Sequence, residues 1–177
     1  MLGRTTLVTG RYIEVREERV RLANGHEIDA FHVVETPAWV GVLPITQAGE
    51  AVLVRQYRHG IAAESLELPA GVIEAGEEPL DAARRELREE TGYAAERWEL
   101  LATLAPEPAR HTVRAHFYVA LDATPAGDLA PDASEEIEVV RIPIGELSKH
   151  VDSGAIVHGV HVGAILLAER RGLLTRP

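Results

Sequence analysis

Cysteine is absent from this chain of 177 residues. That absence removes disulfides, thiolate zinc sites, iron–sulfur clusters and cysteine nucleophiles. It also suits a reducing compartment, so a cytoplasmic location is expected. Positive charge is scarce. Against 28 Asp and Glu stand 18 Lys and Arg, a formal net charge of −10. Such a balance gives no electrostatic footprint for nucleic acid or for an anionic membrane surface, and neither is expected as a partner. An anionic small substrate is still compatible where a cation or local arginines intervene. Long apolar runs are missing too. The opening MLGRTTLVTGRYIEV lacks the apolar core of a signal peptide, so no leader is expected. The longest apolar stretch, residues 160–168, contains His161 and is far too short to span a bilayer.

What is present suits a soluble globular protein: 46% hydrophobic and 26% charged residues. The length allows one domain with a small appendage and a core that needs no staples. Residues 5–34 read as short strands, with Asn24-Gly25 as a hairpin signal. Further strands are read over 39–45 and 51–57, then a short one from Leu66 into a loop punctuated by Gly71, Gly76 and Pro79. A helix is read from Pro79 to Thr91, with proline in its first turn, Gly92 just past its end and an apolar stripe of Leu80, Ala83 and Leu87. Strands over 98–104, 113–121 and 137–142 and helices over 144–151 and 158–171 complete the pattern. The expected class is mixed α/β, with a sheet between helices. A small N-terminal β-sheet over 1–36 is expected to precede a main domain over 37–177.

The helix is acidic in the wrong place. Glu86 and Glu90 stand about 40° apart around its axis, and Glu89 lies about 60° to the other side of Glu86. Three carboxylates therefore share one face. Glu86 and Glu90 form a like-charge pair four residues apart, and all three sit at the negative end of the helix dipole. A solvated charged helix explains charge runs in general, but two broken local rules in one turn mark functional sites. A divalent cation reverses the sign of the electrostatics. All-oxygen ligands select a hard ion, so Mg²⁺ or Mn²⁺ is expected.

The pattern Gly71-x5-Glu77-x7-Arg85-Glu86-Leu87-x-Glu89-Glu90-x-Gly92-Tyr93 resembles the Nudix box at every fixed position. Its one departure is Tyr93, where the family prefers a smaller aliphatic residue. The resemblance implies a Nudix α/β/α sandwich with a mixed sheet. It also implies metal-dependent hydrolysis of a nucleoside diphosphate linked to another moiety. On that basis Glu86 and Glu90 are metal ligands, with Glu89 a ligand directly or through water and the Ala70 carbonyl completing the set. Arg85 orients the glutamates, and Glu77 ties the loop to the helix. Arg55-Gln56-Tyr57-Arg58 before Leu66-Glu67-Leu68-Pro69-Ala70-Gly71, and Pro108 placed 16 residues beyond Gly92, resemble the ADP-ribose pyrophosphatase branch. That branch implies hydrolysis of ADP-ribose or a related nucleoside diphosphate sugar to a nucleoside monophosphate and a sugar phosphate. It further implies a homodimer that exchanges its N-terminal extensions, a metal or substrate contact at Glu67, and a catalytic base on an acidic loop, assigned to Glu135 ahead of Glu136. Arg110, His111 and Arg114 stand where the branch carries a glycine-rich stretch, and Arg110 and Arg114 are read as substrate contacts. Alternatives are another Nudix substrate, such as GDP-mannose or a dinucleoside polyphosphate, or a sensing module without turnover.

Other candidates carry less. His158 and His161 have metal-ligand spacing, but helix-start histidines without a third ligand are usually structural. His59, His111 and His116 are open substrate contacts. Arg55 and Arg58 are read as facing the same side of one strand, where they would bind phosphate. Trp39 is read as core, and Tyr57 as a stacking surface for a base.

Overall fold

A computed structural model describes residues 1–127 and 136–175. In chain order the elements are β1 (Gly3–Thr9), β2 (Glu14–Arg21), β3 (Glu27–Glu35), β4 (Trp39–Thr46), β5 (Glu50–Arg58), β6 (Ala63–Glu67), β7 (Ala70–Val72), α1 (Pro79–Thr91), β8 (Tyr93–Ala94), β9 (Arg97–Leu104), β10 (Ala115–Pro125), β11 (Ile137–Pro143), α2 (Leu147–Asp152) and α3 (Gly159–Arg170). No described helix is long and apolar enough to cross a membrane.

β1, β2 and β3 form a separate antiparallel sheet in that order. The turn at Asn24-Gly25 is wider than the two-residue hairpin that the dipeptide signals, because the last pair of the ladder is Arg21 with Glu27. Gly25 supplies the positive φ of 88° that the turn needs. Asn24 Oδ1 accepts the N–H of His26 at 3.0 Å. β3 is tied to the main body through Val34, whose N–H donates to the Arg110 carbonyl and whose carbonyl accepts from Thr112.

The main sheet holds the other eight strands, with β11-β5-β4-β10-β8 as its spine. β4 and β10 run parallel; their other partners run antiparallel. The near-continuous apolar run of β4 follows from burial of both faces of this sheet. Val40 and Val42 point to one side and pack with Ala82, Ala83 and Leu87 of α1. Leu43 and Ile45 point to the other and pack with Phe117, Leu147 of α2 and Ile165 of α3. The result is the expected α/β/α sandwich with a mixed sheet.

The helix bounds follow the local chemistry. Pro79 occupies the first turn, and Gly92 takes a left-handed φ of 70° while its N–H closes on the Arg88 carbonyl. The stretch read as one strand running into a loop instead divides. β6 pairs with β5 and β7 pairs with β4, so the chain steps across the sheet at Leu68-Pro69. Pro69 has no N–H to give to a ladder; its carbonyl accepts from Val42 at 2.9 Å. This step lays Ala70 and Gly71 over α1.

Gly41 marks a tight contact between β4 and β10, since a Cβ there would lie 2.4 Å from Phe117 Cε1. Gly41→Ala is expected to cost about 1–3 kcal/mol through overpacking. Urea denaturation should show a lower midpoint with an unchanged slope.

Candidate active site

Arg85 is the hub of the acidic helix. Its Nε and Nη2 each reach a different oxygen of Glu77 at 2.9 Å, a bidentate clamp. Its Nη1 donates to Glu86 Oε1 at 2.7 Å and to Glu89 Oε2 at 3.1 Å, and Nη2 also donates to the Val72 carbonyl at 2.9 Å. One guanidinium thus serves three carboxylates and stitches β7 to α1. Glu77 also accepts the N–H of Glu74 at 2.9 Å, which closes the loop between them. Hydrogen bonds from Arg85 hold the Glu77 carboxyl below its ordinary value, and Glu77 in turn keeps Arg85 firmly protonated.

Glu86 and Glu90 are buried, at 9% and 2% exposure. Glu90 Oε2 accepts the Ala70 N–H at 2.9 Å. Glu86 lies against the bare backbone of Gly71, where a Cβ would stand 2.0 Å from Oε1. Only glycine admits so close an approach. Glu89 is half-buried, and Arg84 and Arg88 face solvent. On the neighbouring strands, Glu67 is 1% exposed and takes a two-point contact from Arg58, at 2.9 and 2.5 Å.

The step from β6 to β7 therefore sets Ala70 and Gly71 against Glu90 and Glu86, with Glu67 at the end of the strand before it. Among the described residues no group of three or more histidines and carboxylates is arranged to hold a metal ion as it stands. The donors are nevertheless all hard oxygens, two of them on buried carboxylates packed against the Ala70–Gly71 backbone. Donor oxygens of this kind would suit a hard divalent ion.

Beside this group lies a cleft of about 590 Å³. Its polar wall is Arg58, Glu67 and the Ala70–Gly71 backbone; its apolar and aromatic wall includes Tyr12, Trp39, Val157, His158 and His161. Trp39 meets Phe117, His158 and His161 edge-on or tilted, so it both packs and lines the cleft. His158 and His161 stack nearly parallel at 4.1 Å. Burial pushes both imidazoles below their ordinary pKa.

The other sequence candidates fall as follows. Arg55 and Arg58 do not face the same way: their spacing along β5 is odd, and successive strand side chains alternate. Arg58 lines the cleft, whereas Arg55 pairs with Glu138 on β11 at 2.8 Å. Arg110 and Arg114 are exposed and do not line the cleft. The Arg110 backbone serves instead to hold the N-terminal sheet. His59 lines the cleft, His111 bridges to Val34, and His116 Nδ1 meets Thr103 Oγ1 at 3.2 Å. Tyr57 is 54% exposed and tilts against His59. Glu135 lies outside the described residues, and Glu136 is exposed at the start of β11. Sequence reasoning missed Tyr12 as a cleft residue. It also missed the approach of His161 Nδ1 to Glu67 Oε2, at 3.9 Å, for which only the His158-x2-His161 spacing gave a signal.

Residues 35–159 match the family model described as NUDIX domain. The methanol dehydrogenase activator of Bacillus methanolicus is 31% identical over 160 residues, covering 90% of this chain and 86% of that protein. An ADP-ribose pyrophosphatase of Mycobacterium tuberculosis is 33% identical over 165 residues, covering 91% and 78% respectively. A crystal structure of an ADP compounds hydrolase superposes with a TM-score of 0.85 at 25% identity, covering 97% of this chain and 92% of that one.

Because its folded-state pKa is lowered, Glu77 contributes stability in full above its ordinary value of 4.5 and loses it as acid protonates the carboxylate. Glu77→Gln should therefore be less stable than the parent at neutral pH, with the gap closing on acidification below about pH 4.5. Denaturant midpoints of both proteins across a pH series give the comparison; a gap that widens in acid contradicts the assignment.

Proposed function

The chain belongs to the NUDIX family, and from that premise we propose that it hydrolyses the diphosphate bridge of ADP-ribose or a related nucleoside diphosphate sugar, releasing a nucleoside monophosphate and a sugar phosphate. The observation that carries this reading is the placement of Glu86 and Glu90 under the Ala70–Gly71 backbone, beside a cleft that also presents Arg58 and Glu67. The named activities of the ADP-ribose pyrophosphatase relative and of the ADP compounds hydrolase structure point to the same substrate class.

Glu86, Glu89, Glu90 and the Ala70 carbonyl hold the divalent metal in this reading, and Mg²⁺ or Mn²⁺ is the ion that their oxygens suit. Once bound, such an ion supplies charge neutralisation at the diphosphate and a more acidic water. The protein's own groups do the rest. Arg85 fixes the rotamers of Glu86 and Glu89, so the acidic oxygens are ordered before substrate arrives. Arg58, charged and on the cleft wall, attracts the diphosphate, and Glu67 fixes the direction of its guanidinium. Glu135 takes the proton of the attacking water. The aromatic and apolar wall of Tyr12, Trp39 and Val157 gives the nucleoside a surface to bury.

A homodimer in the cytoplasm completes this reading: the apolar residues of the N-terminal sheet support the dimer, and the absence of cysteine suits the reducing compartment. Leu2, Leu7, Val8, Tyr12, Ile13 and Leu22 are all at least 43% exposed on or beside that three-stranded sheet. A second copy that exchanges residues 1–36 would cover them.

Two substitutions test the reading. Glu90→Gln should cost about a hundredfold or more in turnover of ADP-ribose while the fold is kept, since it removes one charged oxygen from the metal group. Retention of the parent rate contradicts the role. Glu135→Gln should slow turnover with Mn²⁺ affinity kept; loss of metal binding would make Glu135 a ligand and place the base elsewhere.

A further inference from the structure

The step between β6 and β7 leaves one backbone group with an unusual partner. Leu68 is fully buried, and its N–H lies between the two ladders, with no strand to receive it. It donates to Nδ1 of His161 at 3.3 Å, a side chain 93 residues further along the chain. His161 is itself 1% exposed. Its ring is held by the stack on His158 at 4.1 Å, by an edge contact to Phe117 and a tilted one to Trp39, and Glu67 Oε2 lies 3.9 Å from its Nδ1.

Accepting at Nδ1 fixes the neutral tautomer with its proton on Nε2. That Nε2 is buried with no hydrogen-bond partner among the described residues. A buried donor left without a partner is costly, about 1–3 kcal/mol. An apolar residue would fill this place in α3 without that cost, since Ile165 and Ala164 on the same helix are wholly buried. The histidine is tolerated for what its other nitrogen does. Two residues beyond Leu68, Ala70 gives its N–H to Glu90, and Pro69 between them gives its carbonyl to Val42. Residues 68–70 are thus pinned at three successive points, by α3, α1 and β4.

We propose that His161 is a positioning residue: by accepting the Leu68 N–H it sets the height at which the Ala70 N–H meets Glu90 and the Gly71 backbone meets Glu86. This rests on the reading of those groups as the metal site. The coupling runs through a rigid segment, because Pro69 restricts the backbone on both sides of itself. Loss of the acceptor leaves the buried Leu68 N–H unpaired and lets the segment shift toward other partners. Outer groups of this kind tune metal affinity by about ten- to a hundredfold.

The test has one arm without substitution. In ¹⁵N-labelled parent protein, a scalar coupling across the N–H···N bond should join Leu68 N to His161 Nδ1, and the ring should carry its proton on Nε2. A proton on Nδ1, or no coupling, overturns the proposal. The second arm follows Mn²⁺ binding by electron paramagnetic resonance. His161→Leu should bind Mn²⁺ about tenfold or more weakly, with a reduced kcat for ADP-ribose and a KM within about twofold. His161→Asn, whose carbonyl offers an acceptor near the place of Nδ1, should recover most of both. Parent-like Mn²⁺ affinity in His161→Leu, or no recovery in His161→Asn, overturns the proposal while the metal reading stands. Absence of Mn²⁺ uptake by the parent protein, with the coupling present, overturns the metal reading and this inference with it.

Discussion

A single guanidinium decides whether the acidic helix can exist in its present form. Arg85 reaches Glu77, Glu86, Glu89 and the Val72 carbonyl at once. Lysine could not take this place, since a compact ammonium on a flexible stem does not offer a planar fork in several directions. The clamp has consequences at both ends of α1. Toward the N-terminus it binds the loop that enters the helix. Toward the C-terminus it offsets the repulsion among carboxylates that the helix dipole also disfavours. Each of those penalties is only a few tenths of a kcal/mol, so one shared cation that is partly shielded from water is enough to outweigh them.

The sandwich supplies what the clamp cannot. Burial of both faces of β4 holds α1 at a fixed height over the sheet, through Ala82, Ala83 and Leu87. Small residues at two of those three contacts bring the helix close. That closeness is what lets Glu86 touch the Gly71 backbone and Glu90 reach the Ala70 N–H. The opposite layer acts on the same loop from the other side, through His161. Site geometry in this protein is a property of packing between layers. The loop over 67–71 is where the two layers meet.

Much of this was legible in the sequence because it is local. Proline at the first turn and glycine after the last one bound α1 at the residues where the structure begins and ends it. The apolar runs of β4 and β5 gave strands, since burial on both faces leaves no alternation to misread. The acidic face followed from helical spacing alone. The opposite facing of Arg55 and Arg58 was legible too, since a spacing of three on a strand sends them to different faces; what the sequence does not carry is which face meets the cleft and which meets Glu138. The rest of what was not legible depends on long-range placement. Arg110 and Arg114 look like a basic substrate patch in sequence, whereas the loop that bears them is used to anchor β3 and leaves both side chains outside the cleft. Tyr12 reaches the cleft only because the N-terminal sheet folds back beside it. No periodicity encodes that.

The division of the β6–β7 strand shows the same limit in miniature and explains why the site sits where it does. Proline at position 69 has no N–H to give to a ladder, and the chain changes partner strands at this point. A change of partner strands inside a sheet takes backbone groups out of the regular ladder, and each needs another partner. Here those groups are taken up by Val42, by His161 and by Glu90. The last of these is a buried carboxylate on the functional face of α1. The irregularity that would weaken an ordinary strand is therefore the means by which backbone from the sheet and acid from the helix are brought to one point. A straight strand through 66–72 would satisfy its own ladder and leave Glu90 without the Ala70 N–H.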